Sequence, residues 1–274
     1  MSSKPLVVIT GASGGIGAEL ATLHAVDGWD VVMVNRSTER SLPIIDGIAA
    51  EAPGSSVEVV EADLSDHDSI TDAAAALRER GHIDRFINNA GVLVGERIMS
   101  GHGVEMHAQV NTLAPYLFGR LLQPVMEGGM VALVTTSGIS RAKALAVDEL
   151  ADPTTFTKLF GPYVQSKLAA TVIMDAFARQ YPDTTFRSVE PGAVKTAMTS
   201  GDGMPRWLVP IRNLFFSSPE KGARKLYDAL NATGDEYPNG VYVQAGKPRP
   251  LPADANDPVV RDALLAWCRE ATGV

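Results

Sequence analysis

Cysteine is almost absent from this chain, since Cys268 is the only one in 274 residues. An internal disulfide is therefore excluded, and the composition fits a reducing cytoplasm. Long apolar runs are also missing. The first run, residues 6–9, has only four residues, too few for the core of a secretory signal or for the about 18 residues of a membrane span. We therefore expect no membrane partner and a cytoplasmic location.

Basic residues are outnumbered, with 24 Lys and Arg against 32 Asp and Glu, which gives a formal charge of −8. This balance disfavours a general nucleic-acid or acidic-membrane surface. The five histidines show no metal-binding spacing such as HExxH, and no second cysteine accompanies Cys268. We therefore expect no nucleic-acid partner and no metal site.

What the sequence does contain is an alternation of short apolar runs and longer helical patterns. The runs are nearly continuous in Val, Ile, Leu and Phe, as in parallel strands covered on both faces. We predict an α/β fold: a doubly wound, Rossmann-type parallel sheet of about seven strands with helices on both faces, in a single domain over residues 1–274. Prolines at positions 248, 250 and 252 are expected to end regular structure before the last helix. The predicted strands are 6–10, 30–34, 56–61, 85–88, 130–135, 184–189 and 240–244, and the predicted helices are 15–27, 38–51, 66–80, 104–127, 158–180, 219–231 and 257–271.

A glycine-rich segment, TGASGGIG at residues 10–17, lies between the first predicted strand and the first predicted helix. Of Gly11, Gly15 and Gly17, one would permit a tight turn, one the close approach of a pyrophosphate, and one the packing of helix on strand. The N-terminus of the helix would then stabilise the phosphate charge. The segment predicts a dinucleotide site, although its spacing differs from G-x-G-x-x-G and a glycine-rich turn without a ligand is the alternative.

The end of the second strand indicates which dinucleotide fits. An acidic residue at this position would bind the adenosine ribose and repel a 2′-phosphate. Here the residues are Asn35, Arg36 and Ser37, with Arg40 nearby. Because a guanidinium group is suited to a phosphate, we expect NADP(H) to be preferred, with NAD(H) possible. A solvated surface arginine is the alternative.

Polar and small residues follow the next two strands. Asp63 could accept a hydrogen bond from an adenine amino group; alternatively it caps the next helix, for which Ser65 is better placed. Residues 88–91, NNAG, offer amides that can bind neighbouring backbone and small residues that leave room for a ribose. An ordinary Asn-rich turn is the alternative.

Tyr163 and Lys167 stand four residues apart in a helical pattern and therefore share one helix face. An unperturbed phenol has a pKa of about 10, and a neighbouring ammonium favours the phenolate. We expect Lys167 to lower the pKa of Tyr163, so that the phenol exchanges a proton near neutrality. The alternative is that Tyr163 and Lys167 form an ordinary pair on the surface of an amphipathic helix. The presence of the glycine segment in the same chain makes this alternative less favoured.

Taken in order, these motifs resemble the short-chain dehydrogenase/reductase (SDR) family over about residues 5–245. The resemblance rests on residues 10–17, Asp63, residues 88–91, Asn111, hydroxyls after the fifth strand, the Tyr163–Lys167 pair and Pro191-Gly192 with Thr196. Residues 111–117, 163–169 and 257–273 resemble the retinol-dehydrogenase-like branch more narrowly. Members of that branch often carry an N-terminal membrane anchor; none is visible in this sequence, and retinoid chemistry does not follow from the resemblance.

The resemblance implies an oxidoreductase that interconverts a carbonyl and an alcohol by hydride transfer with NADP(H), using Tyr163 as acid/base. It also implies that Asn111 bends a helix and holds a water behind Lys167, which binds the nicotinamide ribose. A hydroxyl must polarise the substrate carbonyl; where the family has two serines this chain has Thr135-Thr136-Ser137, so we assign Ser137, with Thr136 as second choice. The implied catalytic set is thus Asn111, Ser137, Tyr163 and Lys167. The implied cofactor-binding residues are Gly11, Ser13, Gly15, Ile16, Gly17, Asn35, Arg36, Ser37, Asp63, Leu64, Asn89, Ala90, Gly91, Tyr163, Lys167, Pro191, Gly192, Val194 and Thr196.

Residues 197–218 lie where relatives carry a substrate lid, and their Met, Trp, Leu and Phe side chains suit an apolar or aromatic small molecule. Packing on the protein's own core or on a subunit interface is the alternative. Residues 141–158 are expected to form a flap beside the pocket, and Glu190 has no assigned role. Two rival functions stay open: a non-catalytic NADP(H)-binding redox sensor, and an epimerase or dehydratase. The sequence leaves the oligomeric state undetermined.

Overall fold

The computed structural model describes residues 4–274, and in them eight strands form one sheet. The strands are β1 (Leu6–Thr10), β2 (Asp30–Asn35), β3 (Val57–Glu61), β4 (Arg85–Asn88), β5 (Met130–Val134), β6 (Thr185–Val189), β7 (Val241–Gln244) and β8 (Lys247–Arg249). Their order is β3-β2-β1-β4-β5-β6-β7-β8. The first seven pair in parallel, and β8 runs antiparallel to β7. The predicted doubly wound α/β fold is therefore confirmed.

Helices cover both faces of the sheet, as the continuous apolar strands require. The helices are α1 (Gly15–Val26), α2 (Leu42–Glu51), α3 (His67–Arg78), α4 (Met106–Ala108), α5 (Ala114–Leu121), α6 (Pro162–Gln180), α7 (Ala197–Ser200), α8 (Val209–Phe215), α9 (Pro219–Asn231) and α10 (Pro258–Thr272). Side chains alternate along β1: Val8 packs with the face that carries α3 and α6, whereas Val7 and Ile9 pack with the face that carries α1 and α9. All three are fully buried, so each face of the sheet has its own apolar layer.

A π-helical turn, Gln109–Leu113, joins α4 to α5 and contains Asn111. The helix predicted over residues 104–127 is therefore interrupted at the residue that the family resemblance marked as a bend. Such turns are rare and often lie at functional sites. Here the turn brings Asn111 between α6 and the loop after β4.

Two local predictions are corrected. Pro248 does not end regular structure but lies in β8, which is tolerated because β8 is an edge strand. The cap of α3 is neither Asp63 nor Ser65: Asp66 accepts the hydrogen bond from the Asp68 N–H. Asp63 instead accepts hydrogen bonds from the backbone N–H and the hydroxyl of Ser65.

The parallel strands end at one edge of the sheet, and the order reverses between β1 and β4. Ligands of such sheets bind in the crevice beyond the carboxyl ends of the strands at this switch point. None of the helices between residues 4 and 274 combines the length and the apolar content that crossing a membrane would need. Over the same residues, no three potential metal-ligating side chains cluster.

Candidate active site

The glycine loop between β1 and α1 packs so closely that side chains would not fit. Gly11 has φ +69° and Gly15 has φ +56°, the left-handed region that favours glycine. A Cβ on Gly11 would lie 2.9 Å from the Ala90 Cα, and one on Gly17 would overlap the Gly11 carbonyl oxygen and the Asn89 amide. Gly17 is thus the glycine that lets the helix approach the strand.

Asn89 and Thr10 tie the glycine loop to the end of β4. The Asn89 side chain donates to the Thr10 carbonyl at 2.9 Å and to the Gly11 carbonyl at 3.1 Å. In return, the Thr10 hydroxyl accepts the N–H groups of Asn89, at 3.1 Å, and of Ala90, at 3.0 Å. These reciprocal bonds hold the loop in one conformation.

The N-terminus of α1 is prepared for an anion. Its cap is Gly14, and among the described residues no side chain caps the helix and no acidic residue stands in its first turn. The first N–H groups of α1 therefore stay available to a phosphate, which the helix dipole also favours. Beyond the end of β2, Arg36 is exposed on the cavity wall. This cradle of glycines and free N–H groups fits the diphosphate of a dinucleotide, and Arg36 adds a cation beyond it.

Asn35 and Ser37, two of the predicted cofactor-binding residues, form hydrogen bonds with other residues of the protein. The Asn35 side chain donates to the Ser41 hydroxyl at 2.9 Å, while its Oδ1, buried at the cavity wall, has no partner within residues 4–274. An unpaired buried acceptor is unusual and indicates a polar group yet to bind there. Ser37 does not line the cavity, and its hydroxyl accepts the Arg40 N–H at 3.3 Å.

Tyr163 and Lys167 lie buried on one face of α6. The Lys167 ammonium donates to the Val134 carbonyl at the end of β5, at 2.9 Å. A Cβ on Gly91 would lie 3.0 Å from the Asn111 Oδ1 and 3.3 Å from the Lys167 Nζ. Gly91 is therefore small because the lysine and the asparagine converge on it from α6 and the π-helical turn.

Burial dominates the electrostatics of this pair. It raises the pKa of Tyr163 to about 12, against a smaller lowering by a hydrogen bond with Thr136. It lowers the pKa of Lys167 to about 8. The phenol pKa is therefore raised in this structure and not lowered as expected, because loss of solvation dominates and the ammonium is bound to a backbone carbonyl.

Thr136, the second choice from the sequence, is the hydroxyl residue whose interaction lowers the pKa of Tyr163. Thr136 follows β5 in an extended conformation and also accepts the Gly138 N–H. Ser137 begins the 3₁₀ turn Ser137–Arg141. Both residues line the cavity, so both hydroxyls belong to the wall of the site.

One cavity of about 950 Å³ joins the glycine loop to the Tyr163–Lys167 pair. All but two of the predicted site residues line it; the two that do not are Ser37 and Asn111. Those lining it are Gly11, Ser13, Gly15, Ile16, Gly17, Asn35, Arg36, Asp63, Leu64, Asn89, Ala90, Gly91, Ser137, Tyr163, Lys167, Pro191, Gly192, Val194 and Thr196.

The cavity wall also includes residues to which the sequence analysis assigned no role. Leu93, Met106 and Val110 form part of its wall, and so does Glu190. Met106 lies in α4 and Val110 in the π-helical turn that continues it. Their spacing of four residues, inside the predicted helix 104–127, is the signal that could have been read. Leu93 lies in a loop without regular structure, where periodicity says nothing.

Residues 197–218 divide between the cavity and the surface. Met198, Met204, Leu208 and Phe216 line the cavity. Trp207, Leu214 and Phe215 instead point outward, with 64%, 78% and 77% of their surface exposed. Only the first group can touch a small molecule in the cavity.

The chain is similar in sequence to proteins of known family. Residues 5–205 match the family model described as short chain dehydrogenase. Human retinol dehydrogenase 11 is 30% identical over 239 residues, which are 86% of this chain and 75% of that protein. A Streptomyces protein named as a candidate daunorubicin C-13 ketoreductase is 29% identical over 252 residues, 92% of this chain and 86% of its own.

Solved structures share the fold. A protein from Mycobacterium paratuberculosis, 23% identical, has a TM-score of 0.79 over 99% of this chain and 94% of its own. An alcohol dehydrogenase from the archaeon Thermococcus sibiricus, complexed with 5-hydroxy-NADP, is 25% identical, with a TM-score of 0.69 over 90% of this chain and 99% of its own.

Proposed function

Because this chain belongs to the short-chain dehydrogenase/reductase family, we propose that it interconverts a carbonyl and an alcohol with NADP(H), using Tyr163 as acid and base. The observation that carries the proposal is the convergence of Tyr163, Lys167 and the glycine loop on one cavity. A phenol and an ammonium beside a dinucleotide cradle supply the proton chemistry that hydride transfer to a carbonyl requires.

The cofactor is proposed to lie with its phosphates on the glycine loop and its adenosine beside Arg36, Asp63 and Leu64. The remainder of the cofactor is proposed to lie along other residues of the cavity wall, namely Asn89, Ala90, Gly91, Pro191, Gly192, Val194 and Thr196. Arg36 supports a preference for NADP(H), because its guanidinium can bind a 2′-phosphate. In addition, the end of β2 carries no acidic residue that would repel this phosphate. The bound nicotinamide would supply or accept the hydride.

The protein's own groups handle the proton. Since the pKa of Tyr163 is raised to about 12, its phenol is protonated near neutrality and can donate to a carbonyl oxygen. The phenolate left behind would be stabilised by the Thr136 hydroxyl and by the positive charge of Lys167, one helical turn away. We therefore assign Thr136, ahead of Ser137, as the polarising hydroxyl. Asn111 supports this arrangement from behind by bonding Val92 and Ser166.

The substrate is proposed to be an apolar or aromatic small molecule. Leu93 and Phe216 pack in one apolar cluster with Tyr163, and Met106 and Val110 also line the cavity; apolar walls favour such ligands. The two named relatives act, by their names, on retinol and daunorubicin, both of which carry large apolar parts. Residues 197–218 would serve as a lid on a single catalytic domain.

Replacing Tyr163 by Phe tests the proposal, because it removes the proton donor and keeps the ring. We expect kcat for NADPH-dependent aldehyde reduction to fall by about 10²-fold or more, with NADPH affinity nearly unchanged. In the same assay, Thr136→Val is expected to lower kcat more than Ser137→Ala.

Full turnover by Tyr163→Phe would contradict the assignment of the acid. Tight NADPH binding by the wild type with no turnover of a broad carbonyl panel would instead favour a redox sensor. Cofactor that stays bound through dilution would favour an epimerase or dehydratase.

A further inference from the structure

A carboxylate and an imidazole are buried together next to Tyr163, and the mechanism above does not use them. Glu105 is 0% exposed and His107 is 1% exposed. One Glu105 oxygen lies 2.8 Å from the His107 Nδ1, and the other accepts the backbone N–H groups of His107, at 2.9 Å, and of Ala108. A fully buried carboxylate is costly unless it is bonded in this way, so the pair calls for an explanation.

The hydrogen bonds determine where the imidazole carries its proton. The Val94 backbone N–H lies 3.1 Å from the His107 Nε2 and can only donate. The Nε2 atom is therefore the acceptor, and the proton of the neutral ring is on Nδ1, directed at Glu105. Glu105 thus selects the tautomer that leaves Nε2 free to bind the loop after β4.

His107 and Asn111, four residues apart, bind alternate residues of that loop. Asn111 accepts the Val92 N–H at 2.9 Å and donates to the Val92 carbonyl at 3.1 Å, while His107 accepts the Val94 N–H. Leu93 lies between these two fixed points and lines the cavity. It packs there with Tyr163, Val164 and Met204.

We propose that His107, oriented by Glu105, is a positioning residue that holds Leu93 as the substrate-side wall opposite Tyr163. This inference rests on the proposed carbonyl reduction. The His107 ring also meets the Tyr163 ring edge to face, with centroids 6.0 Å apart, so it touches both the wall and the acid that the substrate would contact. Loosening the Val94 bond would let Leu93 move and weaken substrate binding, while the proton chemistry at Tyr163 persists.

Two substitutions distinguish the hydrogen bond of Nδ1 with Glu105 from that of Nε2 with Val94. In His107→Asn, the amide nitrogen replaces Nδ1 and keeps a donor near Glu105, but the acceptor for Val94 is lost. In His107→Gln, the amide oxygen reaches the position of Nε2 and keeps the Val94 bond, but the donor to Glu105 is lost. The readouts are KM and kcat for 4-nitrobenzaldehyde with NADPH, amide exchange at Val94, and the melting temperature.

We expect KM to rise about tenfold in His107→Asn and far less in His107→Gln, as for the loss of one buried hydrogen bond. The melting temperature should fall in the opposite order, because only His107→Gln leaves the buried carboxylate without its side-chain partner. Val94 amide exchange should be faster in His107→Asn. In a Leu93→Ala background, the KM effect of His107→Asn should nearly vanish, since both changes act through the same wall.

Equal KM values in the two variants, or an unchanged His107→Asn effect in the Leu93→Ala background, would overturn the positioning role. The wild type could also fail to reduce the aldehyde while amide exchange at Val94 still follows the expected order. This result would contradict the proposed function but not the hydrogen bond by which His107 holds Val94.

Discussion

Burial strongly lowers the pKa of Lys167, whose positive charge the proposed mechanism uses. Its ammonium has left water for a single carbonyl partner, and the pKa falls from 10.5 to about 8. The folded state therefore holds this proton less tightly than the unfolded chain does. Between about pH 8 and 10.5 the unfolded chain binds more protons, so stability contributed at this site increases as the pH rises.

Lys167→Met provides the comparison that isolates this titration. The free energy of unfolding of the wild type, minus that of Lys167→Met, should increase between about pH 8 and 10, by at most about 1.4 kcal/mol per pH unit. Urea unfolding of protein prepared without NADPH measures it. Tyr163, whose pKa is raised to about 12, acts in the opposite sense only above about pH 10. A difference that stays flat with pH would contradict the lowered lysine pKa.

Arg36 is expected to determine which dinucleotide binds. Because a guanidinium on a phosphate contributes about 1.5–3 kcal/mol, Arg36→Ala should weaken NADPH binding by about tenfold or more and leave NADH binding nearly unchanged. Quenching of tryptophan fluorescence measures both affinities. Arg40→Ala, a change at an exposed neighbour, is the matched control and should have a smaller effect. Equal losses for NADPH and NADH would leave Arg36 as a solvated charge.

At the scale of elements, helix α9 depends on an arginine from the sheet. Arg187 of β6 is 1% exposed and donates to the backbone carbonyls of Ala229, Ala232 and Tyr237, at and beyond the end of that helix. These carbonyls would otherwise be unpaired. The arginine thus joins β6 to α9, and no carboxylate within residues 4–274 forms a salt bridge with it.

Arg187→Met should lower the free energy of unfolding by about 3 kcal/mol, because it leaves buried carbonyls without donors. Arg179→Met is the control: Arg179 is exposed and pairs with Asp175 one turn away on α6, which predicts a loss of less than about 0.5 kcal/mol. Chemical denaturation compares the two variants. A similar loss in both would show that the carbonyls find other donors.

The elements that the sequence analysis missed share a cause. β8 has three residues and contains Pro248, so neither its length nor its composition is typical of a strand. Helices α7 and α8 are similarly short, and their apolar residues face both the cavity and the surface. Short elements whose conformation depends on tertiary contacts leave little periodicity to read.

At the scale of the molecule, the α/β class and the parallel direction of the strands could be predicted. Buried strands and amphipathic helices differ in the spacing of their apolar residues along the sequence. The glycine segment and the Tyr163–Lys167 pair could be placed because each motif occupies a loop or a helix of defined geometry. The choice between Thr136 and Ser137 could not, since it depends on where β5 ends and the following turn begins. The pKa of Tyr163 depends on burial, which one sequence does not reveal.

Both edges of the eight-stranded sheet discourage a neighbour from adding to it. The outer strand β8 consists of Lys247, Pro248 and Arg249, all exposed, and β3 at the other edge presents Glu58 and Glu61 to solvent. An open strand edge is a template for aggregation, and charged side chains or a proline that lacks an N–H prevent a second chain from docking in register. Like charges oppose the pairing of β8 with β8, or of β3 with β3, of a second copy, and Pro248, which lacks an N–H, weakens any ladder formed on β8.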